Sequence, residues 1–167
     1  MSAPHRILVA GIGNIFFGDD AFGVEVVHEL MRSELPEGIE VVDFGIRGYD
    51  LAYAIMDGYA ATILVDTVSR DNPPGTLYLI EPDTEELARL KEEMPDGHAL
   101  APVQVLRLVQ TLGGQIADLY LVGCEPAVLE TEDGRIGLSE AVQAAVPRAV
   151  EMIRTLINDL RAKASLA

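Results

Sequence analysis

Apolar and polar positions along the chain follow two periods. Short apolar, β-branched runs around residues 7–10, 40–44, 62–66, 76–80 and 119–123, each flanked by turn-forming residues, predict five strands. Between them, residues 23–33, 49–57, 84–93 and 102–111 repeat their apolar positions at helical spacing. A last stripe running from Val142 to Leu160 predicts a carboxyl-terminal helix with Ser139 as its N-cap. Pro147 is expected to kink or restart that helix, because proline lacks the backbone donor and crowds the preceding turn.

Alternating strands and helices predict an α/β fold: a three-layer α/β/α arrangement around a twisted, mostly parallel five-stranded sheet. One strand breaks the pattern. The link Ser69–Gly75 is too short for a crossover helix, so the fourth strand is expected to run antiparallel, as a hairpin with the third. With 167 residues and 49% hydrophobic content, one domain over residues 1–167 is expected, with a sizeable core.

Charge narrows the choice of partner. A net charge of −15 argues against nucleic acid and anionic membranes, which call for clustered Lys and Arg. No apolar run approaches the roughly 20 residues of a spanning helix, and the first residues lack a secretory pattern. Cys124 is the only cysteine, which rules out an intramolecular disulfide and a cysteine-cluster metal site. The protein reads as cytoplasmic and soluble.

The candidate chemistry begins after the first strand. Gly11 and Gly13 permit a tight exit, and the adjacent acids Asp19 and Asp20 then open the next helix, where an acid complements the positive N-terminus. A dinucleotide fingerprint fails here, since its third glycine position is Phe16. In a doubly wound sheet, ligands bind at the switch point between strands one and three. Asp20 follows strand one and Asp66 closes strand three, so both carboxylates are expected to face one crevice. His98, in the loop segment Pro95-Asp-Gly-His98, can reach the same crevice and complete a three-ligand site for nickel, zinc or manganese. Taken singly, Asp19 suits capping, Asp66 a satisfied strand end and His98 an ordinary loop position. His28 lacks the second histidine of a zinc-protease helix, no Gly-x-Ser-x-Gly is present, and Cys124 suits a buried thiol.

Four landmarks in order carry a resemblance: Gly11-Ile-Gly-Asn with Asp19-Asp20, Asp43-Phe-Gly-Ile-Arg-Gly48, Asp66, and the segment around His98. Over most of its length the chain resembles the hydrogenase maturation endopeptidases. The resemblance implies an enzyme that removes a carboxyl-terminal extension from a nickel–iron hydrogenase large-subunit precursor after nickel insertion, with the substrate's own nickel as the readiness signal. It further implies metal binding and cleavage roles for Asp20, Asp66 and His98. Gly45, Ile46, Arg47 and Gly48 match a loop associated with substrate recognition. Arg47 there either pairs with a substrate carboxylate or serves as a surface charge. Two other readings stay open: a nickel-sensing chaperone that binds the same large subunit without cutting it, and a small-molecule metallohydrolase.

Overall fold

The computed structural model describes residues 5–81, 102–114, 117–127 and 136–165, with the side chains of 102–104 left aside. The expected helix over 84–93, and His98 with it, lie outside the described residues. Among the described residues, five strands form one sheet: β1 (Ile7–Ile12), β2 (Ile39–Gly45), β3 (Ala61–Thr67), β4 (Leu77–Ile80) and β5 (Asp118–Cys124), in the order β2-β1-β3-β5-β4. The helices are α1 (Phe22–Met31), α2 (Gly48–Ile55), α3 (Pro102–Thr111) and α4 (Glu140–Ser165). β1, β3 and β5 occupy the interior of the sheet, and their apolar runs are buried on both faces as parallel strands require.

Alternation along these strands divides the core in two. Ile7, Val9, Ile63, Val65 and Val122 pack against Phe22, Val26 and Leu30 of α1 and against Ala145, Ala149 and Ile153 of α4. Leu8, Ala10, Leu64 and Leu121 face the other way, against Leu51 and Ile55 of α2 and Leu106 and Val109 of α3. The crossover after β1 thus packs on one face and the crossover after β2 on the opposite face. β1 and β3 are neighbours in the sheet, which places the switch point between them as expected.

Close approach of α1 to the sheet depends on glycine. A Cβ on Gly23 would lie 2.1 Å from the Val65 carbonyl oxygen and 2.4 Å from that of Ile12. The first turn of α1 therefore sits almost directly on the carboxyl ends of β1 and β3.

Two expectations are corrected. β4 is antiparallel, but it pairs with β5 and makes no hairpin with β3. The link from β3 arches over the end of β5: the Val68 N–H donates to the Cys124 carbonyl, the Gly75 N–H to the Glu125 carbonyl, and the Glu125 N–H to the Thr76 carbonyl. Seven residues are ample to step across one strand, about 10 Å from first neighbour to second. Nor does Pro147 restart the last helix, since α4 runs unbroken for 26 residues. Val142, Ala145, Val146, Ala149 and Val150, on both sides of the proline, are buried in one core, which outweighs one missing backbone bond.

Candidate active site

The site grows from the exit of β1. Gly13 has φ +148°, and a Cβ there would fall 1.8 Å from the Asp20 carbonyl oxygen, so only glycine lets the chain fold back on itself at this point. A 3-10 turn over Gly18–Ala21 follows and carries the two acids. Asp20 is partly exposed, and its Oδ2 accepts the Asn14 N–H at 2.8 Å. Asp66, on the adjacent strand β3, is 7% exposed, and its Oδ1 accepts the Thr67 N–H at 2.8 Å.

These two carboxylates feel each other. Burial pushes the Asp66 carboxyl well above the usual carboxylate range, the charge of Asp20 pushes it the same way, and the Thr67 N–H pulls partly back. Such a pair favours a shared proton or a cation between its members. The donor set suits a hard or borderline cation as far as it extends. Among the described residues, no group of three or more His, Cys, Asp or Glu side chains is placed to hold a metal ion, and the expected third ligand, His98, lies outside them.

The loop over residues 45–48 stands beside this crevice. Gly45 has φ +53° and its carbonyl accepts the Gly13 N–H at 3.0 Å, so the loops after β1 and β2 adjoin. Ile46 is 62% exposed, and Gly48 begins α2. Arg47 organises its own loop: its guanidinium donates to the Asp43 and Phe44 carbonyls and reaches Asp50 Oδ2 at 3.4 Å. It is therefore neither a bare surface charge nor an unengaged anion receptor. Asp43 meets His28, Nε2 to Oδ2 at 2.9 Å, an ion pair or hydrogen bond between α1 and β2 that links the histidine to the loop segment.

Asp19 behaves unlike its neighbour. It makes no helix cap, since neither the 3-10 turn nor α1 has a side-chain cap bond. The residue is fully buried, and its carboxylate accepts the Ala127 N–H at 2.8 Å, the Ser139 N–H at 2.7 Å and the Ser139 hydroxyl at 2.8 Å. Ser139 accordingly gives its hydroxyl proton to Asp19, while its carbonyl accepts the Gln143 N–H at the start of α4. The turn that carries Asp20 is thereby tied to the end of β5 and the beginning of α4.

A third buried acid, Glu125, fastens the arch between β3 and β4. Its Oε1 accepts the Arg70 N–H at 2.8 Å, the Asn72 N–H at 3.0 Å and the Tyr78 hydroxyl at 2.7 Å. Burial alone would raise this carboxyl, but these donors outweigh it and hold it below the usual range. Asp71, between the two donating residues, has φ +59°. Two N–H groups flanking a left-handed residue make an anion-binding nest, and here the anion is Glu125. The sequence signal was slight, an acid before Pro126 at the end of an apolar strand. Cys124 is buried, and burial together with the charge of Asp19 pushes its thiol up to about 11, so it stays protonated at neutral pH.

Comparison with known proteins places this arrangement in context. A family model described as hydrogenase maturation protease matches residues 24–156. The hydrogenase 2 maturation protease of Escherichia coli K12 is 33% identical over 155 residues, which cover 92% of this chain and 92% of that protein. The structure of the hydrogenase maturating endopeptidase HybD from E. coli is similar with a TM-score of 0.75 at 32% identity, over 92% of this chain and 93% of that one. A hydrogenase 2 maturation peptidase from a Thaumarchaeota archaeon gives 0.69 at 30% identity, over 92% and 98%.

Proposed function

The chain belongs to the hydrogenase maturation protease family, and we propose that it cuts the carboxyl-terminal extension from a nickel–iron hydrogenase large-subunit precursor once nickel is in place. It acts as one cytoplasmic domain spanning residues 1–167. Among the described residues no helix is long and apolar enough to cross a membrane, which fits that placement. The observation that carries the reading is the pair Asp20 and Asp66, coupled electrostatically at the switch point of the sheet.

In this reading nickel belongs to the substrate. Asp20, Asp66 and His98 engage it, and two oxygens with one imidazole nitrogen suit a borderline divalent ion. A precursor without nickel then lacks the positive charge that relieves repulsion between the carboxylates, so it binds poorly. Another divalent ion of similar preference would compete for the same side chains. The loop Gly45-Ile-Arg-Gly48 borders the crevice and contacts the substrate, with Ile46 as its exposed apolar side chain. Arg47 contributes by holding the loop in shape.

For the cleavage itself, one carboxylate of the pair accepts a proton from a water as the water oxygen bonds to the peptide carbonyl carbon. The same carboxyl returns that proton to the departing amide nitrogen as the carbon–nitrogen bond breaks. Asp66, raised in the metal-free protein by burial and by the charge of Asp20, gives up its own proton when the substrate's nickel engages the pair.

Mass spectrometry of nickel-loaded and nickel-free precursor, incubated with the protein or with Asp20→Ala, tests the proposal. Loss of a carboxyl-terminal fragment is expected only from the loaded precursor and only with the unaltered protein. An intact cognate precursor that nevertheless binds the protein would overturn cleavage in favour of a nickel-sensing chaperone.

A further inference from the structure

Among the described residues, six large apolar side chains stand exposed near the candidate site. Ile15, Phe16 and Phe17 lie in the loop after β1, Ile46 follows β2, and Tyr49 and Tyr53 are one turn apart on α2; their exposures run from 37% to 69%. The two loops adjoin through the bond from Gly13 to Gly45. Leaving this much aromatic and aliphatic surface in water is unfavourable unless something covers it.

The loop that presents Phe16 is built to do so. Asn14 Oδ1 accepts the Phe16 N–H at 2.9 Å, the Asn14 carbonyl accepts the Phe17 N–H at 3.1 Å, and the Asn14 N–H donates to Asp20 Oδ2 at 2.8 Å. One asparagine thus shapes the aromatic loop and seats it on a site carboxylate. Tyr53 lies about 6 Å further along α2 than Tyr49, and α2 leads away from the carboxyl end of β2, so the apolar surface extends past the crevice.

We infer that this rim is an exosite that docks the folded body of the precursor, through an apolar patch bordered by basic side chains. The inference rests on the processing reading above. Charge selects the occupant: the chain carries −15, Asp43 and Asp50 stand along the rim, and the nearby Arg47 is already paired to Asp50 and to loop carbonyls. A second copy would set −15 against −15, whereas a surface with Lys or Arg around an apolar centre is attracted. Extension of the surface along α2 favours a broad folded face over the short segment that is cut. Aromatic side chains on such a rim are the residue types that dominate interface energetics.

The test compares the unaltered protein, Phe16→Ser with Tyr53→Ser, and Phe16→Leu in steady-state processing of nickel-loaded precursor. Alongside it, benzoylphenylalanine replaces Phe16 for photo-cross-linking. The serine pair is expected to raise KM by about tenfold or more while kcat stays within about twofold. Phe16→Leu keeps near-normal KM, and the cross-link forms to the precursor body outside the extension. Unchanged KM in the serine pair, or cross-links between copies with a dimer in sedimentation, would overturn the exosite while leaving processing intact. Failure of the unaltered protein to cut would instead overturn the processing reading, and the cross-link would still report whether the precursor docks.

Discussion

Asp19 and Asp20 are adjacent and chemically identical, yet one is walled in by backbone donors and the other faces the crevice. Their different fates were not legible in the sequence, because the Asp19 partners Ala127 and Ser139 lie more than 100 residues away. Asp19→Ala removes three hydrogen bonds to a buried carboxylate and is expected to cost about 3 kcal/mol, read as a lower urea midpoint at unchanged slope. Asp66 predicts the opposite sign. Its carboxyl binds a proton more tightly in the folded chain than in the unfolded one. The metal-free protein should therefore lose stability as pH rises from the ordinary carboxylate value through the raised one. Asp66→Asn removes that slope, so thermal scans of the metal-free variant between pH 4 and 8 should show a higher Tm than the unaltered protein at neutral pH, with processing abolished. A lower Tm at neutral pH would contradict the assigned cost. The position of Asp66 at a strand end was plain from the sequence, since an acid closing a five-residue apolar run has few other places to go.

Elements were more legible than their partners. Each described strand lies within a residue or two of where apolar runs and turn signals place it, because buried parallel strands leave an uninterrupted apolar imprint. β4 shows the limit: the length of Ser69–Gly75 excludes a crossover helix but does not say whether the next strand joins β3 or steps over β5. Long-range bonds from Glu125 to the Arg70 and Asn72 N–H groups decide it, and no local pattern encodes them. Two substitutions test the energetics of the helices. Pro147 is exposed on α4, so Pro147→Ala restores a helical donor without disturbing the core and should raise stability by about 1–3 kcal/mol in urea titration. Gly23→Ala places a methyl 2.1 Å from the Val65 carbonyl oxygen. Backbone on both sides cannot yield cheaply, so a loss of about 3 kcal/mol or more is expected, with processing falling as α1 is pushed off the end of β3.

For the whole molecule, charge is the property read most directly from sequence and least visible in any single contact. The chain carries twenty-seven acidic side chains against twelve basic ones, and the proposed chemistry itself rests on paired carboxylates. A substrate that reaches them must offset that field. If the docking face of the precursor is basic around an apolar centre, encounter is steered over distances comparable to the Debye length, about 10 Å at 0.1 M salt. Raising monovalent salt from about 50 to about 500 mM should then lower kcat/KM several-fold, carried mainly by KM and association rate. Apolar contact responds differently. The Phe16→Ser, Tyr53→Ser variant loses the short-range contribution but keeps the net charge, so its plot of log kcat/KM against log salt should lie parallel to that of the unaltered protein and below it. Neutralising rim acids with Asp50→Asn should flatten the slope. A salt-independent kcat/KM would mean that the acidic surface serves solubility alone, and that the exposed aromatic rim, without electrostatic help, selects the partner.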